Sequence, residues 1–213
     1  MSSYLVPARE ATAELEVKRS RFRCRVVRVE TEDAARTVIA EERRAYGTAR
    51  HHCSAFVLGP DAGTLRSNDD GEPSGTAGPP ILDAIRGAGP DGAGLSDTVA
   101  VVTRWFGGTL LGTGGLVQAY GDAARAALAQ AGAIRRELHH TLEIATDFAV
   151  AGRLEDQLRR LRGEVLVDYG SGQPILRATV APDDLDTITT MIDTCTSGNA
   201  VITELAPLWV DQP

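Results

Sequence analysis

The sequence has 213 residues, 43% hydrophobic and 24% charged, which is the composition of an ordinary globular protein. No run approaches the roughly 18–20 apolar residues of a membrane span, and the N-terminus lacks the pattern of an export signal. Three widely spaced cysteines indicate reduced thiols rather than a disulfide framework. We therefore expect a cytoplasmic protein that does not bind membranes.

The charge is unevenly distributed along the chain. The net charge of −7 argues against a general affinity for nucleic acid. Residues 1–50, however, hold 11 of the 22 basic residues and 8 of the 29 acidic ones, so this segment is positive. Arg21, Arg23 and Arg25 share one side of a predicted strand. That side is either a face that contacts phosphate or an ordinary solvent-exposed strand face.

Periodicity in the first part of the chain predicts alternating strands and helices. A helix should begin at Thr31 and end at Gly47, and a second should follow Pro79-Pro80, because proline is tolerated in a first helical turn. A long amphipathic helix should run from Leu116 to Gly132. The predicted strands are Glu14–Lys18, Phe22–Val29, Ser54–Leu58, Thr64–Ser67 and a buried central strand, Val99–Val102.

The remainder follows the order β-α-β-β-α-β, which is the split βαβ or ferredoxin-like arrangement. We place the boundary near Glu137, giving domains at 1–137 and 138–213, and we expect the α+β class. The predicted strands are His140–Ile144, Val165–Tyr169, Ile175–Val180 and Val201–Leu205, with a turn at Gly170–Gly172. One helix carries Val150, Leu154, Leu158 and Leu161 and ends at Gly163, and another follows Asp183-Asp184.

The stretch Asn68–Gly78 combines three carboxylates with three glycines and a proline. Carboxylates this close repel one another unless water, a cation or hydrogen-bond donors separate them. The stretch is either a rigid loop that presents polar groups, with carboxylates that brace it or hold a cation, or a turn whose acids cap nearby N–H groups. Its candidate binding residues are Asp69, Asp70, Glu72, Ser74 and Thr76.

The stretch Arg104–Tyr120 follows a buried strand and opens a helix, a context in which exposed N–H groups bind an anion. Its glycines serve either close approach of a ligand or tight packing. It lacks the lysine of a P-loop and, at Val117, the last glycine of the dinucleotide fingerprint. Phe106 and its neighbour Trp105 either stack on bases or belong to the core. Its candidate residues are Arg104, Gly107, Gly108, Gly112, Gly114 and Gly115.

Two charged or titratable features could complete a site. Arg104 could clamp a phosphate or pair with Asp69 or Asp70. Adjacent histidines on a strand point to opposite faces, so at most one of His51 and His52 faces the glycine loops; we take His52 as the candidate. A metal site would need the carboxylates of the first stretch, and a His–Cys nucleophile pair is disfavoured because neighbouring strand side chains diverge.

Together, Asn68–Gly78, Val101–Gly108 and Leu111–Tyr120 resemble the IMPACT family, most closely its bacterial YigZ-type members, and His51–Ala55 and Lys18–Phe22 fit as well. The resemblance implies a first domain like domain 2 of ribosomal protein 5, a two-layer sheet-and-helix unit. It also implies a second, ferredoxin-like domain similar to the last domain of elongation factor G. For bacterial members it implies nucleic-acid or ribosome contact, whereas eukaryotic relatives modulate translation by competing for the activator of a stress kinase.

The leading hypothesis is a non-enzymatic, translation-associated or regulatory protein without metal, cofactor or catalytic residue. It would bind RNA, the ribosome or a translation factor through the glycine loops and the arginine face. Many relatives carry basic residues at the positions of Leu111 and Gln118, and losing these charges weakens phosphate binding. The alternatives are a protein-interaction module without nucleic acid and a metal-assisted hydrolase that uses Asp69, Asp70 and Glu72. The oligomeric state stays open.

Overall fold

The computed structural model describes residues 2–160, 165–170 and 172–212. The chain divides into two compact units, residues 3–135 and 136–212. The predicted domain boundary, after Glu137, lies two residues further along the chain, and the identities assigned to the two domains stay predictions. Within the described residues, no helix is both long enough and apolar enough to span a membrane.

The first unit contains a five-stranded antiparallel sheet and three helices. The five strands of the sheet are β2 Ala11–Val17, β3 Ser20–Arg28, β4 His51–Leu58, β5 Thr64–Asn68 and β6 Thr98–Trp105, and a further strand, β1 Ser3–Pro7, lies outside this sheet. Its helices are α1 Glu32–Ala45, α2 Gly78–Arg86 and α3 Gly112–Ala131. The strand order in the sheet is β2-β3-β6-β4-β5. β6 is thus central and almost wholly buried, as its continuous apolar run predicts.

Side-chain alternation decides which helix covers which face of this sheet. On β3, Phe22, Cys24 and Val26 are fully buried and join the core formed with α2 and α3. The opposite face packs against α1 through a second apolar cluster that includes Val38 and Val101. The α1 helix begins where predicted, because the Thr31 side chain accepts a hydrogen bond from the Ala34 N–H. Helices therefore cover both faces of the sheet.

The second unit has the element order β-α-β-β-α-β, as predicted. Its elements are β7 Ala133–Ala145, α4 Phe148–Arg160, β8 Val165–Asp168, β9 Ile175–Val180, α5 Leu185–Thr196 and β10 Val201–Gln212. β7 pairs with β9 and β10, and β9 pairs with β8. The α+β fold class is confirmed. The predicted positions of Leu161, Gly163 and Ser171 lie outside the described residues.

Candidate functional site

The carboxylate of Asp69 braces the first glycine stretch from within. Its Oδ1 accepts hydrogen bonds from the N–H groups of Ala77 and Gly78 at 2.9 and 2.8 Å, and its Oδ2 accepts one from Gly75 at 2.8 Å. Burial alone would raise the pKa of Asp69, but these three donors hold it below its usual range. A carboxylate engaged in this way is part of the scaffold of the loop.

Asp70 also turns back onto the protein. Its Oδ2 accepts the backbone N–H of His52 at 2.7 Å, its Oδ1 accepts from Arg43 at 2.7 Å, and its own N–H donates to Asn68 Oδ1. Thr76 is buried and donates its hydroxyl to a backbone carbonyl, whereas Ser74 is exposed. The first stretch is therefore largely closed on itself, with Ser74 as the candidate side chain that reaches solvent.

Glu72 carries the connection between the two glycine stretches. Its Oε1 accepts a hydrogen bond from the Arg104 guanidinium and another from the Tyr120 hydroxyl at 2.8 Å, and all three residues are buried. Burial raises the pKa of Tyr120, so its hydroxyl stays a donor. The expectation that Arg104 pairs with Asp69 or Asp70 is wrong, because both aspartates are already occupied and Glu72 meets Arg104 inside the core.

The structure places both histidines beside the first glycine stretch, with their side chains on opposite faces of β4. His51 Nδ1 lies 2.8 Å from the carbonyl oxygen of Asp70, and its Nε2 lies 3.9 Å from Glu72 Oε1. His52 points to the face covered by α1, where it is 5% exposed. The two rings point to opposite faces of the sheet, as predicted for adjacent strand residues, yet His52 Nδ1 also lies 3.9 Å from Asp70 Oδ2, so both histidines lie near the first stretch.

Cys53 is unsuited to act as a nucleophile. Its side chain is fully buried and its Sγ donates to the carbonyl oxygen of Asp69 at 3.1 Å. Burial raises the pKa of this thiol well above its ordinary range, so it stays protonated. Within the described residues, no group of three or more His, Cys, Asp or Glu side chains is arranged to hold a metal ion.

The arginine face of β3 is mostly neutralised by acidic side chains. Arg23 pairs with Glu42 at 2.7 Å, and two further glutamates hold Arg25 at 2.7 and 3.0 Å. Arg21 instead stacks on Trp105, with its guanidinium carbon 3.9 Å from the ring centroid. The sequence prediction of a basic face open to phosphate therefore applies to Arg21 rather than to all three arginines.

The second glycine stretch contains glycines that the fold itself requires. A Cβ on Gly107 would lie 2.0 Å from the backbone of Arg19, which no side chain could tolerate. The Gly107 N–H also donates to Ser20 Oγ at 3.1 Å. Gly108 and Gly112 have positive φ values of 87° and 72°, which favour glycine. These three residues therefore have structural explanations.

Gly114 has no such explanation. It lies in the first turn of α3 without a positive φ, and nothing comes within 4 Å of the position its Cβ would take. Its neighbour Gly115 differs, because its Cβ would lie 3.1 Å from Leu111. Leu111 is the N-cap and makes no side-chain capping bond, and the first turn contains no acidic residue. The result is an open patch of backbone at a helix N-terminus.

Exposed apolar and basic side chains border this patch. Leu110 is 83% exposed, Phe106 41% and Val117 42%. Arg50 lies 5.7 Å from the Phe106 ring centroid, and Arg19 reaches the Thr109 hydroxyl at 3.3 Å. We call these groups the α3 N-terminal surface, which comprises Phe106, Leu110, Gly112, Gly114 and Val117 with Arg19 and Arg50.

Sequence reasoning missed one member of the buried network, Tyr120. Tyr120 lies on the alanine-rich stripe of α3, which indicates a core residue. A signal was nevertheless present, because a buried tyrosine needs a hydrogen-bond partner for its hydroxyl and a phenylalanine would not. The partner, Glu72, lies 48 residues away in the sequence, so only the fold identifies it.

Fold and site together define an α+β protein whose first unit presents one closed and one open glycine-rich segment. Residues 18–128 match the family model of the Impact N-terminal domain. The chain is 38% identical to IMPACT family member YvyE of Bacillus subtilis (strain 168) over 159 residues, which are 75% of this chain and 71% of that protein.

It is 43% identical to IMPACT family member YigZ of Escherichia coli (strain K12) over 132 residues, 61% of this chain and 62% of that protein. A crystal structure described as that of a hypothetical protein is similar over 97% of this chain and 98% of its own, at 33% identity and a TM-score of 0.67. The chain belongs to the IMPACT family.

Proposed function

We propose that this protein works in the cytoplasm by binding rather than by catalysis, and that it holds RNA of the translation machinery at the α3 N-terminal surface. The observation that carries this proposal is Gly114, a helical glycine that neither backbone conformation nor packing requires. At such a position a Cβ is unfavourable only if a ligand has to approach the backbone closely, because nothing within the protein would clash with it. Its setting, an uncapped helix N-terminus, favours an anionic ligand.

The neighbouring side chains complement a nucleotide chain. The exposed ring of Phe106 offers a face on which a base can stack, and Arg50 lies beside that ring. Arg19 is exposed and can pair with a phosphate, since guanidinium groups match phosphate oxygens in a bidentate geometry. Backbone N–H groups, an aromatic ring and two arginines are the components of a site for single-stranded RNA.

The acidic stretch plays a supporting part in this proposal. The oxygens of Asp69 and Asp70 accept backbone and arginine hydrogens, and Glu72 is tied to Arg104 and Tyr120. A hydrolase would need carboxylates that are free to hold a cation or to move a proton. The metal-assisted alternative therefore has less support than binding.

The test is to measure the affinity of the full chain for ribosomal RNA fragments across a salt series, together with co-sedimentation with ribosomes. Each phosphate neutralised on a single strand contributes about −0.7 to the slope of log affinity against log salt. Two arginines therefore predict a slope of about −1.4. A flat salt response without co-sedimentation would overturn the RNA proposal.

One observation favours a second candidate, a protein partner. Leu110, on the same surface, is 83% exposed, and the net charge of −7 opposes RNA. The two candidates respond differently to substitution. Leu110→Ser should abolish binding of a protein partner and spare RNA, whereas Arg50→Gln should weaken RNA binding and reduce its salt dependence.

A further inference from the structure

A groove lies beside α1, on the sheet face opposite to α2 and α3. Its volume is about 450 Å³, within the range of about 300–1,000 Å³ that small-molecule sites occupy. We infer that this arginine groove is a binding site for the phosphate group of a nucleotide or a nucleotide chain. Its polar lining residues are Arg36, Arg43, Arg44, His52, Ser54 and Asn68.

The arginines come from one side of α1. Arg36 pairs with Glu32, one turn earlier, with its Nε 3.2 Å from the carboxylate, and Arg43 pairs with Asp70 at 2.7 Å. Both arginines are exposed, so these ion pairs are weak and a phosphate can share their donors. Arg44 has no ion-pair partner in the part of the chain that the structure describes.

His52 supplies the observation that is independent of the arginines. It lines the groove from β4 and is 5% exposed, yet its Nε2 has no hydrogen-bond partner among the described residues. A buried polar atom without a partner is rare in native proteins and points to an absent ligand atom or water. Burial lowers the pKa of His52 against the opposing effect of a hydrogen bond to the Tyr46 backbone, so the ring is neutral at pH 7 and carries one N–H.

The donor set selects a phosphate over a cation or an uncharged ligand. Three arginines, His52, Ser54 and Asn68 line the groove, and each of these side chains can donate a hydrogen bond. Asn68 Oδ1 already accepts from Asp70, which leaves its NH₂ as a donor. The carboxylates at the rim, Glu32 and Asp70, are both engaged by arginines. Phosphate oxygens are the acceptors that such a group of donors fits.

The groove is larger than a bare phosphate. Ile39 and Ala40 line its apolar part, which provides space for the sugar or base attached to the phosphate. The inference goes beyond the proposed function, because that function uses residues at the start of α3 and this groove uses α1, β4 and the end of β5. Either site can therefore fail its test while the other passes.

The experiment follows the side-chain nitrogens of His52 and Arg44 by NMR in the full, isotopically labelled chain. Inorganic phosphate, AMP and a short single-stranded RNA are added in separate titrations. We expect saturable shifts at both side chains with phosphate and with AMP. An RNA affinity well above that of AMP would identify a nucleotide chain as the source of the phosphate, and equal affinities would identify a free nucleotide.

The matched variants are Arg44→Gln and Arg160→Gln. Both remove one exposed positive charge, but Arg160 lies on α4 and pairs with Asp156. Arg44→Gln should weaken AMP binding about tenfold, the loss expected for one charged hydrogen bond, and Arg160→Gln should leave it unchanged. Equal losses in both variants, or no saturable shift at His52 and Arg44, would overturn the inference. The inference would also be overturned if the NMR signals of His52 and Arg44 shift when an acidic peptide is added but not when phosphate or AMP is added.

Discussion

The two glycine-rich stretches look alike in sequence and differ in structure. Asn68–Gly78 is closed, because Asp69 and Asp70 accept its own or neighbouring backbone N–H groups and Glu72 enters the core. Arg104–Tyr120 is anchored at Arg104 and Tyr120 but open between them, where Leu110 is 83% exposed and Gly114 has empty space beside it. Glycine content alone therefore does not identify a binding surface; what surrounds each glycine does.

The largest expected effect tests whether the closed stretch is tied to the open one. Glu72→Ala removes the partner of a buried guanidinium and should lower the free energy of unfolding by about 3–5 kcal/mol. Denaturant titration of the full chain measures this loss. Glu16→Gln, at an exposed position of β2, is the control and should stay within about 0.5 kcal/mol of the parent.

A smaller loss should follow from removing the brace of the closed stretch. Asp69→Ala leaves the N–H groups of Gly75, Ala77 and Gly78 without their acceptor and should cost about 2 kcal/mol. The same denaturant titration measures this loss. An unchanged unfolding midpoint would show that these N–H groups find other acceptors, and the closed stretch would lose its explanation.

The pH dependence of stability offers an independent test of the same brace. The pKa of Asp69 is lower in the folded chain than in the unfolded chain, so its contribution is complete above the ordinary aspartate pKa. That contribution is lost as the pH falls through the folded pKa. Asp69→Asn should therefore flatten the acid limb of the stability curve. Identical acid limbs in parent and variant would contradict this role.

Substitution at Gly114 should separate stability from binding. Gly114→Ala gains helix propensity without a clash and should stabilise the protein by about 0.5–1 kcal/mol, while weakening RNA binding. Gly107→Ala is the contrast, because its Cβ would collide with the backbone of Arg19 and should destabilise the protein by about 1–3 kcal/mol. If Gly114→Ala is stabilised and binds RNA as the parent does, the open backbone has no part in binding.

The smallest effect is a change in salt dependence. Gln118→Lys adds a positive charge to an exposed position near the start of α3 and should steepen the log–log salt slope for RNA by about 0.7. Gln130→Lys adds the same charge at the far end of the same helix and should leave the slope unchanged. If the two variants have equal salt slopes for RNA binding, the RNA does not bind at the start of α3.

Local patterns predicted much of the fold. Alternation along β3, the cap at Thr31 and the split βαβ order of the second unit all follow from residue spacing. The start of α3 at Gly112 was missed, because glycines disfavour a helix and hid its first turn. The long strands β7 and β10 were also underestimated, since their half-exposed ends lack a strict alternation.

The site was less predictable because its pairings depend on the fold. Glu72 and Arg104 meet because β4 and β6 are neighbours and the loop after β5 folds back over them. The neutralised arginine face depends on glutamates that α1 and the turn before β2 supply. The partners in these ion pairs are not separated by a characteristic number of residues, so the sequence alone does not reveal the pairing.

The most direct measurement is a map of backbone amide shifts as ribosomal RNA is titrated into the labelled full chain. We predict saturable shifts from Leu110 to Val117 and at Phe106, with little change from Gly71 to Gly75, a segment whose Gly75 N–H is already engaged by the Asp69 carboxylate. Shifts confined to Asn68–Gly78, with none at the start of α3, would contradict the assignment of the open stretch as the binding surface.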